Sequence, residues 1–175
     1  LLDESIYFEN TFTAGIHTFN GIYSTLFSNP ALHELQPFEE LLDIQHDGIG
    51  TILKKHQYNT IYFSSHDGQF NNVEGFLRNN GFQEFYSDED YPEEWVLSSN
   101  GIPDHLLFEF AKETFDKQTK PFLGVIMTSS DHKPYIIPEK IDFKPTSESM
   151  NEKIVEYADW SIGKFIYDSK TSNWF

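Results

Sequence analysis

The chain has no cysteine, a single arginine (Arg78), two methionines and no apolar run near the length of a bilayer crossing. Without cysteine there is no disulfide, no thiolate nucleophile and no sulfur-ligated zinc, which suits a cytoplasmic protein and an exported bacterial one equally. A membrane-spanning helix needs about 20 apolar residues, and the opening LLDESIYFEN lacks the basic start and apolar stretch of a signal peptide. Any export signal or anchor is therefore expected outside these residues. Positive charge is scarce: twelve Lys and Arg face 28 Asp and Glu, for a formal net charge of −16. Binders of a phosphate backbone need a basic surface to release counterions, so the balance argues against nucleic acid as a partner. Also missing are a Gly-rich loop ending in Gly-Lys-Ser/Thr, a Gly-x-Ser-x-Gly elbow, a His-x-x-x-His pair and an EF-hand loop. P-loop nucleotide hydrolysis, serine-esterase chemistry and the commonest zinc and calcium sites are thereby set aside.

What is present is globular. Apolar residues make up 38% and aromatic residues 17% of 175 positions, enough for one domain with a real core. Ile6–Phe12 alternates in the manner of a half-buried strand. Gly21–Leu26 predicts a short helix with Thr18 or Asn20 as N-cap. Phe38–Leu42 and Gly50–His56 have helical spacing, Thr60–Phe63 (TIYF) is a buried strand, and Gly75–Asn80 is a helix closed by Gly81. Ser87–Asn100 is acidic and turn-rich, a surface loop rather than a calcium site. Pro103 opens a helix over Asp104–Asp116, with Leu106, Leu107, Phe110, Ala111 and Phe115 on the face that packs on a sheet. Phe122–Thr128 (FLGVIMT) is continuously apolar and predicts the middle strand of a parallel sheet. Ser149–Tyr167 is again helical, with Ile154, Tyr157, Ala158, Ile162, Phe165 and Ile166 inward. Helices alternating with strands predict α/β architecture, and the expected strand after the last helix is missing, so the sheet is read as incomplete.

In such folds reactive groups lie in loops after the strands, and three segments qualify. Gly15-Ile16-His17-Thr18-Phe19-Asn20-Gly21 places a hydroxyl, Thr18, at a helix N-terminus whose field favours an alkoxide and an incoming phosphate. Simple capping is the alternative. In Ser64-Ser65-His66-Asp67-Gly68, with Asn71 and Asn72 behind, His66 could bind an anionic oxygen or shuttle a proton, or Asp67-Gly68 could be only a turn. In Thr128–Tyr135, His132 stands where substrate contacts are expected, or is an ordinary surface histidine. His33, His46, His56 and His105 have no ligand spacing and are read as solvated.

Taken together, FENTFTAGIHTFNGIYSTLFSNPAL, FSSHDGQFNNVEGFLRNNGF, GIPDHLLF and MTSSDHKPYIIP, in this order, resemble the sulfatase-like catalytic domain of the lipoteichoic acid synthase and phosphoglycerol transferase family, within the alkaline phosphatase superfamily. The resemblance runs from about Phe8 to Phe175. It implies an alkaline-phosphatase-like three-layer αβα fold with a mostly parallel sheet, residues 1–175 forming the central part of one catalytic domain truncated at both ends. Thr18 matches the threonine nucleophile, which is also a metal ligand; His66, Asp67, Asn72 and His132 match substrate-binding positions. A divalent cation (Mn, Mg or Zn) is implied, its other ligands lying outside this chain, so that the chain alone is expected to hold no metal and to be inactive. The implied parent is a membrane-anchored enzyme with an extracytoplasmic domain in the bacterial cell envelope, acting on a lipid or glycan phosphodiester. It would pass a phosphoglycerol- or phosphoethanolamine-like group to a glycan or glycolipid through phosphothreonine. Val73 stands where some members carry an arginine, which leaves the headgroup open. A sulfatase or phosphodiesterase and a non-catalytic binding module of the same fold are the alternatives. Ser28-Asn29-Pro30-Ala31-Leu32 imitates the Cys/Ser-x-Pro-x-Arg of true sulfatases, but Leu32 replaces the arginine.

Overall fold

The computed structural model describes residues 5–30 and 35–175; the readings at Leu32 and His33, and at the first four residues, lie outside them. Among the described residues nine helices and strands follow one another as α1 Thr18–Phe27, α2 Pro37–Glu40, α3 Ile49–Lys55, β1 Asn59–Ser64, α4 Val73–Asn79, β2 Glu84–Tyr86, α5 Asp104–Asp116, β3 Phe122–Met127 and α6 Met150–Ser169, with one-turn 3-10 helices between some of them. The strands form a parallel sheet in the order β2-β1-β3.

Alternation along β1 divides the core into two layers. Tyr62 faces α1, α2 and α4, packing with Tyr23, Leu26, Phe27, Phe38, Phe76, Leu77, Phe82 and Phe85. Ile61 and Phe63 face the other way, onto Leu107, Ala111 and Phe115 of α5, with Phe165 of α6 and Trp174 behind. The result is the expected αβα sandwich. Phe76 sits at the crossing point of the first layer, its ring 5.4 Å from Phe27 and 4.5 Å from Phe38. Arg78 is anchored at the rim of that layer by Glu74 at 2.7 Å.

Four sequence readings of the fold need correction. Ile6–Phe12 forms no strand: Ile6, Tyr7, Phe8 and Phe12 are 70–89% exposed. Alternation alone does not make a strand; an edge to pair with and a face to bury are both needed, and neither is offered here. The apolar run of β3 is not the middle strand, a place β1 takes. Leu123, Val125 and Met127 face one layer and Phe122 and Ile126 the other, so the run reports two covered faces and says nothing about how many edges are paired. His46 and His105 are not solvated. His46 meets Tyr23, Phe27 and Phe76, and the His105 ring lies 2.5 Å from the Tyr157 hydroxyl. Of the residues expected inward on α6, Ile154 and Tyr157 are buried, while Ile162 is exposed and Ser161 takes a buried place.

Candidate active site

Because β1 and β3 run parallel, the loops that follow them emerge on the same side of the sheet. His66 comes two residues after β1 and His132 five residues after β3. Helix α1 brings its first turn to the same place. His17, not Thr18 or Asn20, is the N-cap; its amide donates to Asn20 Oδ1 at 3.3 Å, and Thr18 is the first helical residue. Asn20 is buried, and a Cβ on Gly15 would stand 2.6 Å from its Oδ1. Glycine at position 15 therefore lets the approaching chain pass over the capping side chain.

An open cleft of about 560 Å³ is lined by Thr18, His66 and His132 together. His17, Asn71, Asn100 and Ser129 contribute polar groups to its wall, and Ile16, Phe19, Phe70 and Met127 apolar ones. Among the described residues Asp131 is its one carboxylate, and no Lys or Arg is in its wall. The His66 ring stands edge-on to Phe70 at 5.4 Å, and His17 stacks on Phe19 at 5.2 Å. His66 Nδ1 lies 3.1 Å from the Asp67 carbonyl oxygen, and His132 Nδ1 lies 3.0 Å from that of Lys133. A carbonyl can only accept, so Nδ1 carries the proton in both rings and Nε2 is left to accept a proton or, once protonated, to donate to an anionic oxygen.

Asp67 and Asn72 do not line this cleft. Asp67 Oδ1 accepts from Gln69 N at 2.7 Å, closing a turn. Asn72, in the left-handed conformation at φ 54°, is the N-cap of α4, and its Nδ2 donates to the Phe38 carbonyl at 2.8 Å. The cleft side belongs to its neighbour Asn71, also left-handed at φ 52°. His17 and Asn71 are thus wall residues that site-by-site reading passed over. Each adjoins a singled-out residue, and only backbone geometry decides which of two neighbours faces inward.

The loops are tied to one another beneath the cleft. Ser65 Oγ and Ser129 Oγ are 2.6 Å apart, and Ser129 Oγ donates to the Asn100 carbonyl at 2.7 Å. Asn100 Nδ2 in turn donates to the His132 carbonyl at 3.1 Å. Gly101, at φ +80°, lies so close to the Ser65 carbonyl that any Cβ there would overlap it.

A divalent ion needs several carboxylate or imidazole ligands on one centre. Among the described residues no three His, Asp or Glu side chains converge in that way. The residues on hand do not fit such an ion by themselves.

The parallel sheet and its two helical layers define an alkaline-phosphatase-like α/β protein. A sulfatase family profile matches residues 1–173, and the chain belongs to the sulfatase family. The structure superposes on a protein in the alkaline phosphatase superfamily from Vibrio parahaemolyticus with a TM-score of 0.82 at 26% identity, covering 93% of this chain and 41% of that one. It also superposes on the lipoteichoic acid synthase LtaP from Listeria monocytogenes with a TM-score of 0.78 at 24% identity, covering 90% of this chain and 41% of that one, a likeness of fold. The chain thus spans well under half the length of either structure.

Proposed function

We propose that the chain is the nucleophile-bearing part of a phosphotransferase that moves a phosphoglycerol- or phosphoethanolamine-like group from a lipid or glycan phosphodiester to a glycan or glycolipid. One observation carries this reading: a threonine hydroxyl at the start of a ten-residue helix and two imidazoles from separate loops line one cleft. Thr18 Oγ would attack phosphorus, its proton leaving as the P–O bond forms, while the bond to the donor's alcohol breaks and that alcohol takes up a proton. An acceptor hydroxyl then attacks the phosphothreonine and restores Thr18. The first-turn amides and the helix dipole favour the anionic group there, and His66 and His132 contact the phosphate and the leaving oxygen through Nε2. Asp67 and Asn72 would act only through the loops they brace.

Enzymes of this superfamily generally use divalent metals, which supply Lewis acidity to the phosphoryl oxygen. Thr18 is the proposed ligand from this chain, and the remaining ligands would come from polypeptide beyond these residues. The same holds for a membrane anchor: among the described residues no helix is long and apolar enough to cross a membrane.

Sulfate-ester hydrolysis through Ser28 finds no support. Ser28 caps the far end of α1, about 15 Å along the axis from Thr18 at 1.5 Å per residue, and Arg78 is held by Glu74 outside the cleft.

The test is turnover of a lipid phosphoglycerol donor by the intact protein. Thr18→Ala is expected to abolish turnover and the phosphothreonine adduct detectable by mass spectrometry. Unchanged activity in that variant would end the proposal. Product that forms equally well without an acceptor would instead mark a phosphodiesterase.

A further inference from the structure

Asp104 is a carboxylate that the proposed chemistry does not use, and it is 1% exposed. It occupies the first turn of α5, where an acid is expected to serve its own helix. Here its Oδ1 instead accepts from the amides of Ser130 at 3.0 Å and Ser129 at 3.3 Å, both in the loop after β3. Ser130 Oγ accepts from the Asp104 amide at 3.1 Å, so the two segments clasp each other from both sides. Ser129 continues inward to Ser65 Oγ, next to His66, and its carbonyl accepts from the His132 amide at 2.9 Å. A buried carboxylate is tolerated only where such donors replace its water. This one is buried where it fixes the stem of the loop that carries a cleft histidine.

We propose that Asp104, with Ser129 and Ser65, is a positioning unit that sets His132 against His66 at the mouth of the cleft. The proposal rests on the reading of that cleft as the reactive site. Asp104 touches no reacting atom. It holds two amides, these hold the turn from Ser129 to His132, and the Ser129–Ser65 contact ties that turn to the loop after β1. Displacement of a reactive group by an ångström costs up to about 100-fold in rate.

The experiment compares wild type, Asp104→Ala, Asp104→Asn and Ser129→Ala in the intact protein with isotope-labelled histidine. Imidazole NMR signals are assigned through His66→Gln and His132→Gln, and kcat and KM are measured with a lipid phosphoglycerol donor. Asp104→Ala is expected to shift or broaden the His132 signals and to lower kcat about 10- to 100-fold with KM little changed. Asp104→Asn keeps an acceptor at Oδ1 and should restore the His132 signals and most of kcat. Ser129→Ala should disturb the His66 and His132 signals together. The proposal is overturned if Asp104→Ala leaves the His132 signals in place. It is equally overturned if Asn rescues nothing and both variants lose activity only in step with their loss of folded protein. Should wild type turn over no phosphodiester, the functional reading fails while the imidazole signals still decide whether Asp104 positions His132.

Discussion

Two imidazoles in one cleft are useful only if their nitrogens are assigned, and the backbone does this here. His66 and His132 each face a carbonyl with Nδ1, so the neutral rings should both be Nδ1–H tautomers. Nitrogen-15 shifts of the labelled imidazoles check this directly; an Nε2–H signature at either ring would remove it as the group receiving a proton at Nε2. At this scale the sequence was readable where an imidazole follows a true strand, as His66 follows β1 and His132 follows β3. The strand signal ahead of Thr18 was false, yet its place at a helix start brings it to the same cleft. The sequence was unreadable between neighbours: Asp67 and Asn72 have the right chemistry, yet a turn and a left-handed cap direct them to the backbone, while Asn71 is at the wall.

At the scale of elements, Gly101 is the position where two loops cannot be held apart. Its left-handed φ and the Ser65 carbonyl against it leave no room for a side chain. Gly101→Ala is expected to cost about 1–3 kcal/mol through strain alone, more if Ser65 is pushed aside, and to broaden the His66 signals; a melting curve and the same spectra measure both. Helices α5 and α6 were legible almost to the residue, because Pro103 and Ser149 mark their starts and their apolar stripes are long. Strand β2 was not, since three residues are too few to show a period. The rank of β3 in the sheet could not be read either, as hydrophobicity records burial of faces whereas pairing is made by backbone groups common to every residue.

For the whole molecule, the clearest pH effect comes from His105. Burial, and then Lys164 nearby, lower its pKa from 6.5 to about 4. The unfolded chain therefore takes up a proton between pH 6.5 and 4 that the folded one refuses. Stability from this group is complete above about pH 6.5 and is lost as pH falls towards 4, by about 1–2 kcal/mol after allowing for its partial exposure. Burial raises the Asp104 pKa and works in the opposite sense, lowering stability as pH rises above the unfolded carboxylate value. Comparison with His105→Gln isolates the histidine: the gap in melting temperature between wild type and variant should narrow as pH drops from 7 to 5.

The two halves of the cleft are mounted differently. Thr18 rides on α1, which packs into one core layer through Phe19, Ile22, Tyr23, Leu26 and Phe27, whereas both imidazoles follow the strands themselves. Loosening that layer should therefore displace Thr18 and the first turn of α1 while leaving the two imidazoles in place. Phe27→Ala, at a cost of about 3–5 kcal/mol, should slow formation of the phosphothreonine in the surviving folded fraction while leaving the His66 and His132 imidazole signals nearly unchanged.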